Sequence, residues 1–214
     1  MPRSPAQTHV FAYGSLLSPV SLLSTVPDTD LDDVVPARLL GHARVFDVAF
    51  PNDGSQPDKQ YHDEHGVRPP FVLFANVSAR PESSVNGVLV PVDDTRLRQL
   101  RARELRYAVR DCTAAIESRA SEVGRVLAFV GRPSYTDPSD VARGVVARAY
   151  LDLIQDGARS WDERHPGFLR DFHAGTVLPD ADRVVALARF DHPGNSRGSW
   201  IEGGAADAQR DERS

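Results

Sequence analysis

The sequence predicts an α+β fold in which β-strands fill the first two-thirds of the chain and curl toward a barrel, with helices from the last third packed on it. Three observations carry this expectation. Short apolar runs rich in β-branched and aromatic residues, bounded by Gly, Pro, Asn and Asp, recur up to about residue 130. The long run from Ala37 to Phe50 is broken only by Gly41, a bend of the kind that curves a sheet. Beyond Pro138 the apolar spacing changes to three and four, the helical period.

Taken in order, His9-Val10-Phe11-Ala12-Tyr13-Gly14-Ser15-Leu16-Leu17 is an apolar strand that breaks at Gly14-Ser15. Such a turn leaves amide N–H groups facing outward, where a small anion can be held, with Tyr13 beside them. Any first strand of a sheet can close on a glycine turn, so these residues alone are equally an ordinary strand end. Ser18 and Pro19 open a helical turn to Thr25, and the Pro/Asp-rich stretch Pro27 to Asp33 is a loop. After the Gly41-bent strand, Pro51 to Pro70 is polar and rich in turn formers, which predicts a long loop, mobile or partly folded over a site. Phe71 to Val77 and Val85 to Val92 read as two strands separated by a Pro/Ser turn.

Asp93-Asp94-Thr95 then caps a helix, on which Leu97, Leu100 and Glu104 fall at i, i+3 and i+7. At about 100° per residue all three lie within roughly 60° of one another, which puts Glu104 on the buried stripe. Burial and the negative end of the helix dipole both disfavour its charge, raising its pKa toward the range of a general acid or base. The competing reading pairs Glu104 with Arg101, Arg103 or Arg106 as a salt-bridged helix end. Tyr107 to Glu117 and Val123 to Val130 continue the sheet. An amphipathic helix starts at Asp137 or Ser139 and runs through Val141, Val145, Val146, Ala149, Tyr150, Leu153 and Ile154 to Gly157. Tyr150 on its apolar face reads as a core tyrosine. Phe168 to Phe172 forms a further helical turn, and Arg183 to Phe190 a last strand or arm. One domain over residues 9–190 is expected, with flexible ends at 1–8 and 191–214.

Composition narrows the function classes. A chain of 214 residues with 41% hydrophobic and 26% charged residues is long enough for a sizeable core and has no run suited to crossing a membrane. A net charge of −5 argues against a nucleic-acid partner. The start, Met1-Pro2-Arg3-Ser4-Pro5, has no signal-peptide core, so a cytoplasmic location is expected. Cys112 is the single cysteine, which excludes an internal disulfide and a cysteine-built metal site. Lys59, in the polar loop, is the sole lysine and hence the one residue available for Schiff-base chemistry. His62-Asp63-Glu64-His65 reads as a solvated loop rather than a metal site, and Ser15 lacks a Gly-x-Ser-x-Gly elbow because Leu17 takes its last position.

Five segments occur in the order and approximate spacing of the gamma-glutamylcyclotransferase-like superfamily. They are Phe11-Ala12-Tyr13-Gly14-Ser15-Leu16, Ala37 to Phe46, Val85-Asn86-Gly87-Val88-Leu89, the run from Leu97 to Glu104 and Tyr107, and Tyr150 to Ala158. Over residues 9–175 the chain resembles that superfamily. The resemblance implies a small mixed β-barrel with helices packed around it, and a pocket where Glu104 is the catalytic carboxylate. It implies substrate-holding backbone amides at Gly14, Ser15 and Leu16, and pocket aromatics at Tyr13, Tyr107 and Tyr150. Leu105 stands where many relatives have Gly. The implied reaction releases 5-oxoproline from a γ-glutamyl amine or peptide, with no metal and no organic cofactor. The implied partner is a small-molecule γ-glutamyl substrate, with no nucleic acid and no membrane, and homodimerisation stays open. The alternative function is a non-catalytic ligand-binding or interaction module on the same barrel.

Overall fold

A computed structural model describes residues 7–56, 58–118 and 123–191. Strand β1 (Thr8–Ala12) is central in the main sheet, antiparallel to β4 (Phe71–Val92) and parallel to β7 (Val126–Gly131). Its residues Val10, Phe11 and Ala12 are buried, as the apolar run demands. The sheet order is β5-β7-β1-β4-β2-β6, where β2 is Val35–Pro51, β5 is Tyr107–Asp111 and β6 is Ile116–Ser118. Strands β8 (Gly144–Ala147) and β9 (Val184–Val185) extend it in parallel from β4. The outer strands β5 and β6 do not pair with each other among the described residues, so this α+β sheet is a curled half-barrel. A separate ribbon joins β3 (Lys59–His62) to β10 (Ala188–Asp191) in antiparallel register.

Among the described residues five α-helices complete the fold: α1 (Pro19–Thr25), α2 (Asp94–Arg103), α3 (Pro138–Ala142), α4 (Arg148–Arg164) and α5 (Phe168–Ala174). The caps are those expected from the sequence. Ser18 accepts from the Ser21 N–H, Asp93 from Arg96 and Asp137 from Ser139, each filling a donor that the first helical turn leaves unpaired. Helix α4 presents Tyr150, Leu151, Ile154, Ala158 and Trp161 to the core that the strands supply from the other side. The membrane expectation takes a narrow form: among the described residues no helix is long and apolar enough to cross a bilayer.

Gly41 has φ +72°, a conformation that side-chain-bearing residues avoid, and sits at a break in the β2–β4 register between Leu40 and His42. Opposite it, residues 80–83 of β4 bulge out, because Leu40 pairs with Ser84 and His42 with Ala79. The expected turn between two strands is therefore a bulge in one 22-residue strand, placed where Pro81 has no N–H to give to the ladder.

Three further expectations need correction. The Tyr107 to Glu117 strand is two strands: Asp111 accepts from both the N–H and the hydroxyl of Thr113, and that turn sends β6 to β2. The single helix expected from Asp137 to Gly157 is interrupted by β8. Val145 and Val146 are β-branched and fit a strand, and a side chain at Gly144 would meet Leu73, so only glycine lets β8 lie this close to β4. Helix α4 runs past Gly157 to Arg164. The 51–70 loop contains strand β3. The expected flexible ends lie largely outside the described residues.

Candidate active site

The first turn of the site follows from its neighbours. After Ala12 the chain leaves the sheet, and Ser15–Leu17 form a 3-10 turn closed by the Leu17 N–H on the Gly14 carbonyl at 2.9 Å. The N–H groups of Gly14, Ser15 and Leu16 find no acceptor among the described residues. Behind the turn, α4 grips it twice. Trp161 Nε1 donates to the Leu17 carbonyl at 2.9 Å, and the absence of a side chain at Gly157 lets the helix touch the Leu17–Ser18 backbone.

Arg44, which the sequence reading passed over, anchors the turn from the sheet. It is fully buried, yet no carboxylate pairs with it among the described residues. Its Nε donates to the Tyr13 carbonyl at 2.7 Å and Nη1 to Thr176 Oγ1 at 2.6 Å, while Nη2 donates to the Asn86 carbonyl. The guanidinium lies 4.3 Å from the centre of the Phe172 ring. Burial brings its pKa down to about 9, so it remains a cation at neutral pH. Its parity with the buried Phe46 on the same strand was the sequence signal for it.

Glu104 is the C-cap of α2, one residue beyond the helix rather than on its stripe, and its N–H bonds to the Leu100 carbonyl at 2.9 Å. Its side chain is nonetheless only 16% exposed. Burial raises its pKa, against an opposing pull from Arg103, Lys59 and Arg106. The carboxylate lines a cavity of about 120 Å³ together with Gly14, Ser15 and Leu16. It also has an arginine partner, since Arg103 Nε stands 3.4 Å from Oε1. The enzyme reading expects Glu104 inside a pocket with Gly14 to Leu16 and without an arginine partner, and the alternative expects it salt-bridged outside the pocket or a side chain filling the pocket. The structure has Glu104 both in the pocket and paired. Arg103 is committed mainly elsewhere: Nη2 donates to Ser15 Oγ at 3.0 Å and to Ser21 Oγ at 2.9 Å, and Nη1 to Thr25 Oγ1.

The three tyrosines also line the cavity. Tyr13 donates to the Phe129 carbonyl and Tyr107 to the Ala75 carbonyl at 2.7 Å. The hydroxyl of Tyr150 accepts from the Ala75 N–H at 3.0 Å. Burial raises all three pKa values, so the phenols are neutral wall groups.

Sequence reasoning did not bring the remaining charged wall to the site: Lys59 stood out only as the sole lysine and Arg106 only as a candidate partner of Glu104. Asp58 and Lys59 come from the start of the ribbon and Arg189 from its other strand, while Arg106 follows α2. Arg106 is held by Asp58 at 2.6 and 3.1 Å. Pairing between residues so distant in the chain leaves no local signature.

No family model matches the sequence, and no curated protein matches it. Solved structures do. A gamma-glutamyl cyclotransferase structure superposes on 83% of this chain and 93% of its own, with TM-score 0.53 at 16% identity. An uncharacterized protein from Homo sapiens covers 82% of this chain and 90% of its own, with TM-score 0.51 at 16% identity. YkqA from Bacillus subtilis is matched over 80% of this chain, with TM-score 0.51 at 18% identity, and this chain spans 56% of YkqA. At such identities the likeness is one of fold, and in fold this chain is similar to gamma-glutamyl cyclotransferase over four-fifths of its length.

Proposed function

We propose that this protein is a cyclotransferase that releases 5-oxoproline from a γ-glutamyl amine or peptide, with Glu104 as its acid and base. One observation carries the reading: the largely buried Glu104 carboxylate and the amides of Gly14, Ser15 and Leu16, without an acceptor among the described residues, line a single pocket. A γ-glutamyl compound brings its own nucleophile, the α-amino group. Attack on the γ-carbonyl closes a five-membered ring, so the protein needs to supply position and proton transfer rather than a nucleophile. Glu104 takes a proton from the α-ammonium and delivers one to the leaving nitrogen, a task suited to a carboxyl whose pKa burial has raised. The loop amides hold the α-carboxylate or the developing oxyanion. Tyr13, Tyr107 and Tyr150 shape the wall, and the scheme calls for no metal or organic cofactor.

The Arg103–Glu104 contact favours a second reading, a ligand-binding module in which the carboxylate is structural. At 3.4 Å the contact is longer than the roughly 2.7–2.9 Å of a charge-assisted hydrogen bond, so the first reading is preferred. The test is 5-oxoproline release from γ-glutamyl amino acids, γ-glutamyl amines and glutathione by the wild type and Glu104→Gln. Turnover that vanishes in a folded variant supports the cyclotransferase. No turnover of any compound by the folded wild type transfers the case to the binding module.

A further inference from the structure

Four cationic side chains and two carboxylates line the pocket. Three of the cations have oxygen partners: Arg106 has Asp58, Arg103 has Ser15, Ser21 and Glu104, and Arg189 has Asp191. Lys59 has no hydrogen-bond acceptor and no ion-pair partner among the described residues. Its ammonium is held by rings instead, with Nζ 4.6 Å from the centre of Phe74, 5.3 Å from Phe50 and 5.7 Å from Tyr61. The three rings are themselves buried and pack edge-to-face or tilted on one another, so the cage is rigid and the amine's position is set before any ligand arrives.

A cation on a pocket wall, beside other cations and without an ion-pair partner among the described residues, is complementary to an anion. Burial and the charges of Arg189 and Arg106 bring the amine down to about 7, with Asp58 and Glu104 opposing. An arriving carboxylate reverses that balance and keeps the proton on nitrogen. The γ-glutamyl half of a substrate is already served by the Gly14–Leu16 amides and Glu104. Lys59 belongs to a different element, the ribbon, and is left for the half that departs.

We propose that Lys59 is a specificity-determining residue, selecting γ-glutamyl substrates whose released portion carries a carboxylate by binding that carboxylate on its caged ammonium. The inference rests on the cyclotransferase reading and says which of its substrates the pocket favours: γ-glutamyl amino acids and peptides over γ-glutamyl amines.

The test uses two substrates that differ only in that group, γ-glutamylalanine and γ-glutamylethylamide, whose leaving groups are alanine and ethylamine. The wild type should favour γ-glutamylalanine in kcat/KM by about tenfold or more, the scale of a charge-assisted hydrogen bond. In Lys59→Met, of similar volume, the ratio should fall to near one, mainly through a higher KM for γ-glutamylalanine, and Lys59→Arg should retain part of it. Equal use of both substrates by the wild type, or a preference that survives in Lys59→Met, overturns the proposal and leaves the cyclotransferase reading standing. Equal use by the wild type overturns the proposal even if the variants do not fold. Failure of the wild type to release 5-oxoproline from either substrate overturns the reading and the proposal together.

Discussion

Arg103 Nε lies 3.4 Å from Oε1 of Glu104, its neighbour in the chain, while the rest of the guanidinium reaches across to Ser15, Ser21 and Thr25. One side chain thus joins the end of α2, the amide-bearing turn and α1. Its positive charge also opposes the rise in the Glu104 pKa that burial causes. In Arg103→Gln that opposition is gone, so the acid limb of kcat/KM for 5-oxoproline release should move to higher pH. The lost bonds should lower stability by about 1–3 kcal/mol. An acid limb unmoved in Arg103→Gln would separate the pair from the chemistry.

Glu104→Gln should abolish turnover and yet cost no stability. A carboxyl whose folded pKa lies above its ordinary value of 4.5 makes the folded state weaker as pH rises through the interval between the two, because the folded form holds its proton longer than the unfolded one. The melting temperature of the variant relative to wild type should therefore climb as pH is raised from 4.5 toward neutrality. Thermal scans over that range check the sign, and an advantage for the wild type that grows with pH would be the contrary result.

Arg44→Lys keeps the charge and removes the fork. A lysine cannot reach the Tyr13 carbonyl, Thr176 and Asn86 together, so buried acceptors lose their donors at a cost of about 2–4 kcal/mol. Denaturant unfolding measures the loss. The turn that Arg44 anchors should loosen with it, and 5-oxoproline release should fall in the folded fraction as well. Wild-type stability in the variant would refute the anchoring role.

Gly157→Ala sets two effects against each other. Alanine is the better helix former by about 1 kcal/mol. Its Cβ, however, would stand 2.6 Å from the Ser18 nitrogen and 2.7 Å from the Leu17 carbonyl carbon, both backbone atoms that cannot move aside cheaply. Overpacking costs of about 1–3 kcal/mol should win, lowering the melting temperature by a few degrees. A variant more stable than wild type would mean that α4 does not press on the turn as described.

The parts of the site legible in the sequence are the local ones. Gly14-Ser15 announces a turn, Asp93 a cap and Glu104 a helix end, each through residues within a few positions. The β3–β10 ribbon, the β8 interruption and the bulge opposite Gly41 depend on partners far along the chain, and short-range pattern assigned them to a loop, a helix and a turn. Lys59 was visible as the only lysine, but its aromatic cage is assembled from β2, β3 and β4 and could be recognised only in three dimensions.

The pairing of Lys59–His62 with Ala188–Asp191 has a consequence for how the protein is made. A chain growing on the ribosome exposes β3 as a bare edge until nearly all of the described residues have been synthesised. Through that interval the nascent protein lacks the strand that carries Arg189, so one wall of the pocket is missing. A truncation just before Ala188 would keep every strand of the main sheet, and so look native by its secondary structure, while leaving an unpaired, sticky edge beside an unfinished pocket.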